Sequence, residues 1–134
     1  MASILKVDDL RGNTAAGDIT ITSEGGSATM QLQQGLVKHF VNFNGTGTPA
    51  VNDSFNHSSI TDNGTGDFTH TTANAFSNTN YVPGGTCANS TTNPSSRYAS
   101  TVVVTTSTYR EQPRSQTAQL DLDYNTGFAI GDLA

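Results

Sequence analysis

The chain has 134 residues, 34% of them hydrophobic and 13% charged, with a formal net charge of −5 and a pI near 4.8. So few basic residues argue against the cationic footprint on which nucleic-acid binding relies, and no apolar run approaches the roughly 20 residues of a membrane-crossing helix. Cys87 is the only cysteine, which excludes an intrachain disulfide.

The polar but weakly charged composition, rich in Thr, Ser, Asn and Gly, favours β structure with exposed strands. One domain of this size with so few apolar residues predicts a thin core, completed by burial between identical subunits. The opening "MASILKVDD" lacks the apolar stretch of a secretory signal.

Residues 1–35 read as an extended arm or stem. Ile4, Leu5, Val7 and Leu10 form a short apolar cluster, and "DITIT" at 18–22 alternates as a brief strand. "SEGGSATMQLQQGL" then predicts at most a short helix, with Ser27 as N-cap and Gly35 interrupting the spacing of Met30, Leu32, Leu36 and Phe40. Such a segment is too small to form a core of its own. Ile4, Leu5, Val7, Met30, Leu32 and Leu36 are therefore the candidate contacts to other subunits or to a larger particle.

Residues 36–134 read as a β domain. The tetrapeptide Asn-Gly-Thr-Gly occurs at Asn44–Gly47 and again at Asn63–Gly66. Both Asn and Gly tolerate the positive φ that tight hairpin turns need. Val41 and Phe43 before the first turn, Val51, Phe55 and Ile60 between the two, and Phe68 after the second predict a three-stranded antiparallel meander. Strand segments are expected at 36–44, 49–60, 66–72, 79–83, 97–109, 117–124 and 126–131, the strongest around Val102, Val103 and Val104. Pro49 suits a strand start or edge. "PGGTCANSTTNPSSR" at 83–97 has no periodicity and reads as a long surface loop. The fold class is all-β, an antiparallel sandwich or jelly-roll.

Chemistry-bearing residues are sparse. His39, His57 and His70 lack the local spacing of metal ligands; although His57 and His70 can converge across strands, they are expected as exposed or half-buried strand residues. Asp121 and Asp123 should share one face of a strand, without the ligand loop that calcium needs. Cys87 sits in the predicted loop with no cation to activate it, and no Gly-x-Ser-x-Gly elbow is present. Paired carboxylates such as Asp53 and Asp62 could be proposed for glycoside cleavage, but Trp is absent and no aromatic platform is evident. The Asn-x-Ser/Thr triplets at Asn44, Asn52, Asn56, Asn63 and Asn89 read as turn and strand residues first. The expectation is no catalytic site, no metal and no cofactor.

Three stretches, "TMQLQQGLVKHFVNFNGTGT", "DSFNHSSITDNGTGDFT" and "ANAFSNTNYV", together resemble a module of virion proteins from tailed bacteriophages, marine and cyanobacterial phages especially. There it occurs in tail-fibre-like chains. The resemblance is closest over 28–83 and weaker through the Val-rich strand and the closing "FAIGDL"; "ILKVDDLRGNTAAGDITIT" is similar to the particle-binding start of such fibres. The chain departs from the pattern at His39-Phe40, where Ala-Trp is common, and at His57 and His70, where apolar residues are more usual. The resemblance implies a homotrimeric virion protein, assembled in the host cytoplasm, whose arm binds other tail or capsid proteins. It carries no catalytic residues.

The leading expectation is a short fibre or fibre tip. Its loop from Pro83 to Arg97, flanked by tyrosines, would meet a host surface glycan through Tyr81, Asn89, Asn93, Arg97 and Tyr98. A capsid decoration protein is the alternative, and a polysaccharide hydrolase a more distant one.

Overall fold

The computed structural model describes residues 5–13, 19–22, 25–89 and 97–134. Those residues contain no α-helix, and the chain divides into two compact units, Met1–Leu36 and Val37–Ala134. In the first unit, β1 (Thr20–Thr22) pairs antiparallel with β2 (Thr29–Gln31), Ile21 opposite Met30, and one 3₁₀ turn follows at Gln33–Gly35. The short helix expected from Ser27 is replaced by that strand and turn. The turn begins after Leu32 with no side-chain cap, and Gly26, at φ 72°, precedes the strand. Leu32 is held by its backbone N–H, which donates to the Ile19 carbonyl at 2.7 Å.

The second unit is an antiparallel β-sandwich. Its strands are β3 (His39–Asn44), β4 (Ala50–Phe55), β5 (His57–Gly64), β6 (Asp67–Thr72), β7 (Val82–Ala88), β8 (Tyr98–Val103), β9 (Thr108–Arg114) and β10 (Tyr124–Ile130). One sheet runs β4-β3-β10-β7 and the other β5-β6-β9-β8. Three neighbour pairs, β3–β4, β5–β6 and β8–β9, are sequence-adjacent hairpins, so much of the pairing is local.

The expected three-stranded meander is broken at its middle. The segment 49–60 is two strands in different sheets, and the break falls at Asn56, which sits at φ 52°. Asn tolerates the left-handed region better than other non-Gly residues, and here its side chain pins the corner. Asn56 Nδ2 donates to the Lys38 carbonyl at 2.9 Å, while Oδ1 accepts from the Asn74 backbone N–H at 2.7 Å.

The two Asn-Gly-Thr-Gly copies close β3–β4 and β5–β6 by different means. In the first, Asn44 Oδ1 accepts from the Thr46 backbone at 2.8 Å and opens a longer loop. In the second, the chain reverses at Thr65-Gly66 rather than at Asn63-Gly64, and the register shift lies before the turn, between Asp62 and Gly64. Gly66 has φ 61°, and a Cβ there would lie 2.3 Å from the Leu120 nitrogen. Its own N–H donates to Asp121 Oδ1 at 2.7 Å.

Three other expectations change. Pro83 to Ala88 is not loop: it forms β7, an edge strand, where a proline without an N–H is tolerated. The run 97–109 divides at 104–107, where Val104 and Thr105 both donate to the Thr108 carbonyl. Segment 117–124 is largely irregular, with only an isolated bridge from Gln119 to Arg114. Asp121 and Asp123 therefore do not share a strand face, and Leu122 between them is the buried residue.

The core has two apolar clusters. Val41, Phe43 and Phe68 form one, backed by Ile60; Phe76, Tyr81, Tyr109 and Ala129 form the other. His70 touches both, its ring centroid 5.0 Å from Phe43 and 4.9 Å from Tyr109. The space between the clusters is polar.

Candidate functional site

Strand parity sets the outer face of the β4-β3-β10-β7 sheet. With Val41 and Phe43 turned into the core, period-two alternation turns Phe40, Asn42 and Asn44 outward. In β10, Asn125, Gly127 and Ala129 are buried while Tyr124, Thr126, Phe128 and Ile130 face out. Register then aligns these outward residues in rows. Phe40 lies opposite Phe55 on one side and Phe128 on the other, and Phe128 lies opposite Gly84. The Phe40 and Phe55 rings stack at 6.2 Å. All three phenylalanines remain substantially exposed, at 39%, 54% and 38% for Phe40, Phe55 and Phe128. Ile130 opposite Val82 extends the apolar patch.

The next row is polar. Asn42 faces Thr126, and Thr126 faces Thr86, whose hydroxyl lies 2.7 Å from that of Thr126. Asp53 is the single Asp, Glu, Lys or Arg in these four strands. Beyond the row, Tyr124 stands opposite the small Ala88. A cavity of about 350 Å³ opens here, lined among others by Asn42, Thr86, Cys87, Arg97, Tyr124 and Thr126.

The inner faces hold the chain's three histidines. His39 and His70 are fully buried and His57 half-buried, which corrects the expectation of an exposed or half-buried strand residue for His70. Their rings come from β3, β6 and β5, with centroids 5.3 to 6.4 Å apart. His39 Nε2 is 3.1 Å from His57 Nδ1, and Tyr109 Oη is 3.3 Å from His39 Nδ1. With Tyr109 donating to Nδ1, His39 carries its proton on Nε2 and donates to His57. His70 Nε2 approaches Glu111 Oε2 at 3.2 Å with both side chains fully buried.

Burial governs the charge state of this cluster. It lowers the His39 pKa to about 4 and the His70 pKa to about 3, helped by the neighbouring imidazoles, and it also lowers His57. The same desolvation raises Glu111 well above the usual carboxylate range. Burial thus disfavours the charged form of both partners, so His70 meets Glu111 as a neutral imidazole rather than as an imidazolium. Gly127 backs the cluster from β10: a Cβ there would sit 2.4 Å from Tyr109 Oη and 2.6 Å from Glu111 Oε2. Among the described residues no group of His, Cys, Asp or Glu is arranged to hold a metal ion.

The residues singled out from sequence are dispersed. Tyr81 is buried, stacked on Phe76 at 4.1 Å, and its hydroxyl donates to the Thr108 carbonyl at 2.7 Å. It is a core residue and not a surface contact. Asn89 is exposed just past β7, Arg97 is half-buried in the cavity wall, and Tyr98 is exposed on β8 in the other sheet. Asn93 lies outside the described residues, as does Ile4. In the first unit Leu5, Val7, Met30 and Leu36 are exposed, Leu5 at 77%, and Leu32 is half-buried. Cys87 lies in β7 rather than a loop, buried, with its thiol pKa raised chiefly by desolvation. Asp53 and Asp62 lie in opposite sheets, and Asp62 Oδ1 accepts the Gly64 N–H.

Sequence reasoning did not identify the outer rows. The usable signal was parity, since inward Val41 and Phe43 force Phe40 and Asn42 outward. No family model matches this chain, and no curated protein or solved structure gives a significant match.

Proposed function

We propose that this chain is a structural subunit of a tailed-phage particle: a short homotrimeric fibre or fibre tip. Residues Met1–Leu36 serve attachment and subunit contact, and the sandwich presents the outer face of its β4-β3-β10-β7 sheet to the host surface. The observation that carries the reading is the distribution of apolar surface. Leu5, Val7, Met30 and Leu36 in the first unit, and Phe40, Phe55 and Phe128 in the second, are exposed, while the core gives up space to His39, His70 and Glu111. Contiguous exposed apolar rows mark surfaces that meet partners, and closed symmetric association of one chain is the commonest way to cover those of the first unit. The Phe row and the residues around it carry little charge, as the centres of recognition surfaces commonly do.

Mass measurement of the purified chain in solution should give three copies, and a stable monomer at micromolar concentration overturns the trimer. Immunogold imaging of particles should place the chain on the tail, whereas label spread over the capsid would make it a decoration protein. Deleting residues 1–36 should spare the sandwich and abolish incorporation. Normal incorporation of the shortened chain would transfer the docking role to the sandwich.

A further inference from the structure

The cavity beside Tyr124 has the chemistry of a sugar site. Its volume, about 350 Å³, is at the small end of the ~300–1,000 Å³ typical of ligand pockets. A sugar ring offers an apolar C–H face, and hydroxyls that both donate and accept. Tyr124 supplies the surface for the first. It is 43% exposed and lines the cavity together with the small Ala88 opposite it on β7.

The polar row supplies the second. Asn42 Oδ1 accepts from Asn52 Nδ2 at 2.9 Å, which fixes the amide with its own N–H groups as donors. Thr126 Oγ1 lies 3.5 Å from the Thr86 carbonyl and 2.7 Å from Thr86 Oγ1. With Thr126 donating to the carbonyl and Thr86 donating to Thr126, Thr86 keeps both lone pairs as acceptors. Amide donors and hydroxyl acceptors thus stand side by side along one row, next to an aromatic ring, with Arg97 in the wall. The planar Arg fork presents several N–H donors and pairs bidentately with carboxylates.

We propose that this cavity binds one sugar residue of a bacterial surface polysaccharide, with Tyr124 as the stacking platform and Asn42, Thr86, Thr126 and Arg97 as its hydrogen-bonding wall. The proposal rests on reading the outer sheet face as the host-facing surface.

The test uses the full chain, isotope-labelled, titrated separately with chitotriose, galactotriose and trigalacturonate while the Thr86 and Thr126 methyl resonances are followed. At least one of the three should shift both resonances saturably in the millimolar range. Tyr124→Ala should weaken that binding at least tenfold, whereas Tyr124→Phe should retain most of it. Thr126→Val, which keeps the side-chain shape, should weaken it several-fold and decides the matter if Tyr124→Ala fails to fold. Val102→Ser, at an exposed position on β8 of the other sheet, should leave it unchanged. Absence of a saturable shift with all three probes overturns the site, as does binding that survives both Tyr124→Ala and Thr126→Val. The two readings fail separately. Binding lost in those variants, by a chain that imaging finds absent from particles, keeps the site and removes the phage role. A particle-bound chain blind to all three sugars does the reverse.

Discussion

Two layers of the same sheet reverse the usual distribution of polarity. Its inner face carries His39 from β3 into contact with His57 and Tyr109, close to Glu111 and His70 of the opposite sheet, while its outer face displays Phe40, Phe55 and Phe128. In β3 the inversion is one residue wide: His39 points in and Phe40 points out. The cause is parity. Val41 and Phe43 pack against Phe68, and a strand that buries 41 and 43 must also bury 39 and expose 40. The comparison teaches that the inside of this sandwich was selected by the strand as a whole. Individual side chains that disagree are carried along, and a functional surface is built from those left outside.

Acid should break the inner layer first. His39, with a folded pKa of about 4, and His70, with one of about 3, have an unfolded value of 6.5. Between those limits the unfolded chain binds more protons, so stability is full above about pH 6.5 and falls as pH drops towards the folded values. Each pKa unit corresponds to about 1.4 kcal/mol, and the raised Glu111 pKa works in the opposite sense over the same range, so the net change is the imidazoles' loss less the Glu111 gain. Urea unfolding of a Glu111→Gln chain at pH 7 and at pH 4 isolates the imidazole part, and equal midpoints there would show that the buried imidazoles do not govern stability.

Gly127→Ala attacks the same layer at neutral pH. The new methyl would collide with Tyr109 Oη and Glu111 Oε2, and overpacking of this kind costs about 1–3 kcal/mol. A thermal melt reads the change; an unaltered melting temperature would mean that the cluster yields without cost.

Glu111→Gln sharpens the comparison more gently. The folded Glu111 pKa lies well above the 4.5 of the free group, so the folded chain keeps a proton that the unfolded chain loses. Its contribution therefore diminishes as pH rises past 4.5 towards the folded value. The amide cannot lose a proton, so the variant should be within about 1 kcal/mol of the parent at pH 5, with neutral hydrogen-bond capacity retained, and should gain on it at pH 8. Unfolding curves at the two pH values check the sign, and a parallel pH response in both proteins would contradict it.

The outer row should respond least. Phe55→Ser, on an exposed strand edge, should change the stability of an isolated subunit by about 0.5 kcal/mol or less. If the row belongs to a recognition surface, host adsorption should fall while the melt stays put. A large destabilisation with no change in adsorption would instead make Phe55 an ordinary packing residue.

The all-β class, the two Asn-Gly-Thr-Gly hairpins and the split between a short leading unit and a β domain rest on local signals: Thr-rich alternation, positive-φ residues and a change in composition. Local physics acts over a few residues, and that much is legible along the chain. Asn56 shows where it ends. The residues around 56 continue a strand-like pattern, and only its hydrogen bonds to Lys38 and Asn74, 18 residues away in either direction, turn one predicted strand into a corner. The misplacement of Tyr81 has the same origin, because its loop-flanking position concealed a ring stacked on Phe76 and a hydroxyl bound across the fold.

The sequence by itself determined that this chain would form strands, where most of them would turn, and that it would carry more exposed apolar surface than its core could use. The tertiary structure alone decided which strands share a sheet, that His39, His57, His70 and Glu111 would meet, and that Tyr124 would stand beside Asn42, Thr86, Thr126 and Arg97. Those groups come from strands far apart in the chain, and their meeting depends on register and sheet order. Both are settled by the joint burial of Val41, Phe43, Phe68 and Tyr109, a property of the packed whole that no local pattern encodes.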